Sequence, residues 1–313
     1  MPGNVLGMDL RSRLRELDRT QRERRPLAVG LATVKKYGED SSANLASTIA
    51  FWAFFSVFPL LLATVTVLGY VLSAENRHTV MGHLASYLPL IDVNSIDGLH
   101  GSWLALILGL ASALWSATAV VKVTEAAFNA VWEVPQYAKP KLKAQVINSA
   151  KVMGTIGAGL LGSTALMGLV TGSDLHIGIL GRLLGLGLAI AVDVGLFIVA
   201  YRILTDRQLS TADVLPGAVL AGVGFWLLQT VSGVILSHHA SGAQSTYGTF
   251  ATVITLLWWF YLQAQLTLFG AQLNVVLARD YYPRAMFGGP ETDADQRLMQ
   301  DFTAERQLQE VSG

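Results

Sequence analysis

Apolar and polar positions alternate along the chain in long blocks, and the blocks define six apolar runs. They cover about residues 43–72, 103–121, 152–170, 177–204, 212–236 and 247–274. A hydrocarbon core about 30 Å thick is crossed by about 20 helical residues rising about 1.5 Å each. Every run therefore predicts a membrane-spanning helix. The last, YGTFATVITLLWWFYLQAQLTLFGAQLN, has no charged residue but carries Trp258, Trp259 and Tyr261 at its middle and Gln263, Gln265, Gln272 and Asn274 beyond. A polar group in hydrocarbon must find a partner. This helix is therefore expected inside a bundle, with Gln263 and Gln265 turned toward other helices. Gln272 and Asn274, near its end, are expected in the headgroup zone.

The first run is long enough to require tilting or bending, and Pro59 in SVFPLL is the expected bend. Pro216 falls in the first turns of the fifth run, where proline is best tolerated. Residues 27–37 are too short to span and predict an interfacial helix. Met81, Leu84 and Leu88 recur at helical spacing and predict a short amphipathic helix at the outer surface. Lys122 opens a basic loop after the second run, and His238 and His239 are expected in an outer loop. Three regions result: a basic arm with its interfacial helix over 1–42, a transmembrane domain over 43–279, and a mobile polar tail over 280–313.

Charge fixes the expected orientation. Twenty of the 22 Lys and Arg fall in the arm, the loops that follow the second and fourth runs, or the tail, leaving only Arg77 and Arg182 elsewhere. The positive-inside rule then places both termini in the cytoplasm. Composition agrees with the class: 52% of residues are hydrophobic and 14% charged, against about 25% charged in soluble domains. The expected fold is all-α, a polytopic membrane protein of six transmembrane helices. No cysteine is present, which excludes disulfides and thiolate chemistry. The arm interleaves its arginines with Glu16, Asp18 and Glu23, which argues against a nucleic-acid tail.

Asp193 is the most informative single residue, because a carboxylate within a span is costly and by default functional. Gly181, Gly185, Ala189 and Asp193 follow one another at i+4, on a small-residue face that lets helices approach closely. The second run repeats the device with Gly109, Ala113 and Ala117, and its register continues to Glu125 and Asn129. Asp193, Lys122, Glu125, Gln263 and Gln265 are thus expected to form one polar cluster opening toward the cytoplasm. The alternatives are a carboxylate that only pins two helices together and, for Glu125 and Asn129, a solvated helix end. The pattern Gly157-Ala-Gly159-Leu-Leu-Gly162 matches a dinucleotide fingerprint but lies within an apolar run without a preceding strand. It reads as helix packing.

Four stretches carry a family resemblance: SVFPLL at 56–61, LWSATAVVKVTEAAFNAVWEV at 114–134, LPGAVLAGVGFW at 215–226, and the final run. With them the chain resembles the YihY/BrkB family of bacterial inner-membrane proteins and its YhjD branch. The resemblance implies a six-helix fold, an inner-membrane location, and a role in envelope integrity or in moving lipid or other envelope components. Members are often labelled ribonuclease BN, yet no metal-binding carboxylate cluster or acid–base pair on a soluble face supports that here. The expectation is a transporter or lipid-handling protein, with a non-transporting scaffold as the competing reading. No enzymatic activity, metal or cofactor is expected. The expected partners are membrane lipids, with other envelope proteins or a second copy as further candidates, and no nucleic acid.

Overall fold

Five of the apolar runs are found as long helices. The computed structural model describes residues 18–20, 22–71, 103–134, 179–239, 248–286 and 291–312, together with Glu16 and Gly154. Its helices are α1 (Arg25–Glu39), α2 (Ser42–Val71), α3 (Trp103–Val131), α4 (Ile179–Ile203), α5 (Thr211–His239), α6 (Gly248–Ala278) and α7 (Asp293–Ser312). No strand occurs among the described residues. Helices α2 to α6 each contain a segment long and apolar enough to cross a membrane, from 19 to 26 residues. The expected third span, the glycine pattern within it and the expected outer helix with Met81, Leu84 and Leu88 lie outside the described residues.

Helix α6 is the centre of the packing and touches α1, α2, α3 and α5. Its buried face holds Ala264, Leu268, Ala271, Val275 and Val276. Around it α2 pairs with α3, and α4 with α5. The sides of the spans remain apolar. On α4, Leu183, Leu184 and Leu188 are 60%, 67% and 52% exposed, whereas Ala189 and Asp193 are 1% and 5% exposed. The large side chains point outward and the small face inward, as close helix packing in hydrocarbon requires. Gly109 is buried on α3, and Ala113, Gly181, Gly185 and Pro59 are half-buried.

Several expectations are corrected. Gln272 and Asn274 are not solvated but fully buried between helices, where each finds partners. The helix of the second run does not end at Lys122 but continues to Val131. Hydropathy marks where hydrocarbon ends, whereas the helix continues as long as its side chains find contacts beyond. His238 and His239 belong to the last turn of α5, not to a loop. The tail is not free: Arg284 and Asp295 are 4% and 8% exposed, and the tail packs on α1.

The ends of α1, α3 and α6 are shaped by left-handed residues: Ser41 (φ 51°), Glu133 (φ 54°) and Asp280 (φ 50°). After α3, Val134 N donates to Asn129 O at 2.8 Å, and after α6, Tyr281 N donates to Val276 O at 3.0 Å. Such bonds satisfy carbonyls that a helix end leaves open. All three turns lie at one end of the bundle, called here the basic end.

Candidate functional site

The three turns deliver charged side chains to one place. Lys36, 1% exposed, donates to Asp40 Oδ2 at 2.8 Å and to Glu133 Oε1 at 2.9 Å. Arg279 donates through Nη1 to Glu133 Oε2 at 2.7 Å and through Nη2 to Trp132 O at 2.8 Å. Gln272 Nε2 donates to Asp40 Oδ2 at 2.7 Å and to Ser42 Oγ at 2.9 Å. A buried cation requires this much pairing, since desolvation otherwise outweighs the attraction. The network ties α1, α2, α3 and α6 together at the basic end. Its partners lie 97, 146 and 232 residues apart, and no local pattern in the sequence announces them.

A second network docks the tail. Arg284 donates to Glu39 Oε2 at 2.5 Å and to Asp295 Oδ1 at 2.9 Å, while Lys35 Nζ donates to Ala285 O at 2.7 Å. Burial pushes the Asp295 carboxyl up. The Ala285 N–H, the Thr292 hydroxyl and N–H, and Arg284 outweigh burial and hold it well below the usual carboxylate range. Tyr281, buried at the start of the tail, donates from its hydroxyl to Asp301 on α7. The tail is therefore a strap across the basic end.

Inside the bundle the closest helix approach joins α5 to α6. Gly217 N donates to Asn274 Oδ1 at 2.6 Å. A methyl on Gly217 would lie 2.0 Å from Gly270 O, and one on Gly270 would lie 2.5 Å from the Tyr201 hydroxyl. Tyr201 donates to Thr267 O at 2.7 Å and its ring lies 5.2 Å from that of Phe128. Glycine is thus required at both positions by space alone. Gly222 and Gly224 make similar approaches to Val194 and Leu266. These four glycines carry tight crossings that the sequence reading had sought on the i+4 faces of α3 and α4.

One part of the expected polar cluster is found at the end of α3. Asp206, in the loop after α4, gathers Glu125 and Asn129, with Lys122 in electrostatic reach of Glu125. Glu125 is in hydrogen-bond contact with Asp206 and electrostatic contact with Lys122. Asn129 Nδ2 donates to Asp206 Oδ2 at 2.8 Å, and Asp206 N donates to Asn129 Oδ1 at 2.8 Å. Neither Glu125 nor Asn129 is a free solvated helix end. Asp193 is buried on the inward face of α4, as its spacing predicted. Gln263 and Gln265 are half-buried on α6, and the Gln263 side-chain nitrogen is buried without a hydrogen-bond partner. Tyr261 lies near Tyr37 of α1, whose hydroxyl is pushed up to about 12, first by burial and then by Tyr261. A cavity of about 760 Å³ opens at the end of α4, lined among others by Ile198, Arg202, Ile203 and Arg207. Asp193 is not among the residues lining it.

Comparison with known proteins adds the lineage. The chain is 27% identical over 257 residues to YfkH of Bacillus subtilis (strain 168), a protein named as ribonuclease-like, covering 77% of this chain and 90% of that one. It is 25% identical over 254 residues to a UPF0761 membrane protein of Pseudomonas aeruginosa (strain LESB58), covering 76% of this chain. A UPF0761 membrane protein of Ralstonia nicotianae is 24% identical over 274 residues, covering 82% of this chain. The match spans only 60% and 61% of the length of these two longer relatives. No solved structure matches. The family described as virulence factor BrkB matches residues 33–294, a stretch that runs from within α1 into the start of α7. The all-helical architecture and this match agree: the chain is a membrane protein of the BrkB family.

Proposed function

We propose that this protein moves lipid or another envelope component through the polar interior of its helix bundle in the bacterial inner membrane, and so supports envelope integrity. The observation that carries the reading is Asp193, 5% exposed within a span and on the inward face of α4. A carboxylate at that depth is retained against a cost of several kcal/mol, which a purely structural span has no need to bear. The same reading takes the protein to be no enzyme. Many of its charged side chains at the basic end are engaged with one another as ion pairs.

The proposed topology has six spans with both termini in the cytoplasm. Two facts support it. Phe128 meets Tyr201 and Asn129 meets Asp206, so α3 and α4 both finish at the basic end and run parallel. Parallel neighbours in sequence fit a further crossing between them, and 152–170 is the apolar run available. The arm and tail also meet at the basic end, through Arg25 with Tyr282 and Arg284 with Glu39.

The test is reconstitution of the pure protein in liposomes, with lipid scrambling and solute flux measured for wild type and Asp193→Asn. The amide is nearly isosteric and still hydrogen-bonds, so the expected variant melts near wild type but loses any proton- or cation-coupled step. Asp193→Leu is expected to do more harm, because it strands other buried polar groups. A stable Asp193→Asn with full activity overturns the charge-dependent mechanism. Wild-type liposomes without scrambling or flux favour a scaffold that binds other envelope proteins.

A further inference from the structure

The mouth between α4 and α5 has a chemistry that the buried interior does not explain. The loop that joins these helices turns back sharply after Ile203, and the cavity of about 760 Å³ lies beside it. That volume is in the range of sites for small ligands, about 300–1,000 Å³. Its lining combines the guanidinium groups of Arg202 and Arg207 and the amide of Gln208 with the apolar Ile198, Ile203 and Leu209. Among the described residues no Asp or Glu lines it. The nearby acids in sequence are directed elsewhere: Asp206 is held by Asn129, and Asp213 caps α5 by accepting from Ser210 N at 2.8 Å.

The two arginines differ in their freedom. Arg202 donates from Nε to Leu209 O at 3.1 Å and from Nη1 to Thr211 Oγ1 at 3.4 Å. These bonds fix the plane of its guanidinium while the Nη2 hydrogens stay available. Arg207 is exposed and forms no ion pair among the described residues. A preset fork beside a second, exposed one matches the oxygen atoms of a phosphate, which arginine binds through paired N–H groups. The position selects the source of that phosphate. The span within α4 ends at Ile203, which is 49% exposed at the cavity wall. Arg202 stands one residue before that end and Arg207 and Gln208 follow it, so the donors lie near headgroup height, with Ile198 about one turn deeper. Basic pockets at the ends of spans favour anionic headgroups for this reason.

We propose that the cleft formed by Arg202, Arg207 and Gln208 at the end of α4 is a binding site for the phosphate headgroup of an anionic glycerophospholipid. The site is independent of the transport reading. A lipid held there is bound whether the protein moves lipid or only scaffolds other proteins.

The experiment uses the full chain in detergent, titrated with phosphatidylglycerol, phosphatidylcholine or inorganic phosphate, with bound molecules counted by native mass spectrometry. The variants are Arg207→Gln, which removes a group outside any described ion pair, and Arg202→Gln. The control is Arg19→Gln, since Arg19 is an exposed arginine of the arm with a side chain 85% exposed. The expected result is one phosphatidylglycerol retained in preference to phosphatidylcholine. Its affinity falls about tenfold in Arg207→Gln and further in Arg202→Gln, and is unchanged in Arg19→Gln. Four results overturn the proposal. One is equal binding of the two lipids. Another is an equal loss in Arg19→Gln and Arg207→Gln, which reports attraction to the whole basic end. A third is displacement of phosphatidylglycerol by inorganic phosphate at equal concentration, which makes the occupant a soluble anion. Arg207→Gln with unchanged melting and unchanged lipid affinity likewise overturns it. Failure of flux in the liposome assay leaves this outcome untouched.

Discussion

Gly217→Ala is the substitution that tests the bundle most directly. The added methyl would sit 2.0 Å from Gly270 O and 2.6 Å from Asn274 Cγ. The first obstacle is backbone in the middle of α6, so no side-chain rotation relieves it. Helices α5 and α6 must part by about 1 Å or more to restore contact, and such overpacking costs about 1–3 kcal/mol. Parting also stretches the 2.6 Å bond from Gly217 N to Asn274 Oδ1. Asn274 Nδ2 is already buried without a partner, so a lost bond leaves the whole amide unsatisfied, at about 1–3 kcal/mol. Alanine's better helix propensity returns about 1 kcal/mol. The net expectation is a loss of roughly 1–5 kcal/mol, or roughly 2–20 °C in melting temperature. The control is Gly195→Ala, where nothing lies within 4 Å of the new methyl, and stability should be unchanged or slightly raised. Tryptophan fluorescence melting of both variants in one detergent decides the matter. If Gly217→Ala melts no lower than Gly195→Ala, the close crossing of α5 and α6 is wrong.

Other expectations follow from the two ionic networks and the topology. Lys36→Met leaves Asp40 and Glu133 facing each other with Arg279 as the remaining cation. Breaking so buried a pair should cost on the order of 3–5 kcal/mol, read as a melting shift that a Lys36→Arg variant only partly shares. Asp295 has a depressed carboxyl pKa, so its contribution to tail docking is complete above the unfolded value of about 3.9 and fades as pH falls through the folded one. The chain lacks cysteine, so a dye on Met299→Cys should report a docked α7 from pH 7 down to about pH 4. In Asp295→Asn it should report an undocked one already at pH 7, and equal signals in the two backgrounds would refute the strap. A reporter fused after Arg284 should be active in the cytoplasm and one inserted near His239 outside; both on one side would refute the six-span topology.

Hydropathy and charge along the chain were enough to read the class, the approximate place of five of the expected spans and the end that carries the charge. These depend on transfer of whole segments from water to hydrocarbon, which sums over about 20 residues and tolerates errors at single positions. The expected runs at 43–72 and 247–274 accordingly lie within a few residues of α2 (Ser42–Val71) and α6 (Gly248–Ala278). The inward turn of Asp193 was also legible, because one helix fixes the angle between residues four apart. The features that were not legible depend on pairs of residues brought together by the fold. A row of small residues on α4 shows that close approach is permitted, not where it happens, and the tightest contact fell instead on Gly217 and Gly270. Gln272 and Asn274 had the composition of an interface and the position of an interior, because their partners Asp40, Ser42 and Gly217 come from other helices. The tail reads as polar and loose along the chain. It is ordered by Glu39, which meets Arg284 across 245 residues. Burial of a charge is favourable only once its counter-charge is in place, and that condition belongs to the fold and not to any segment.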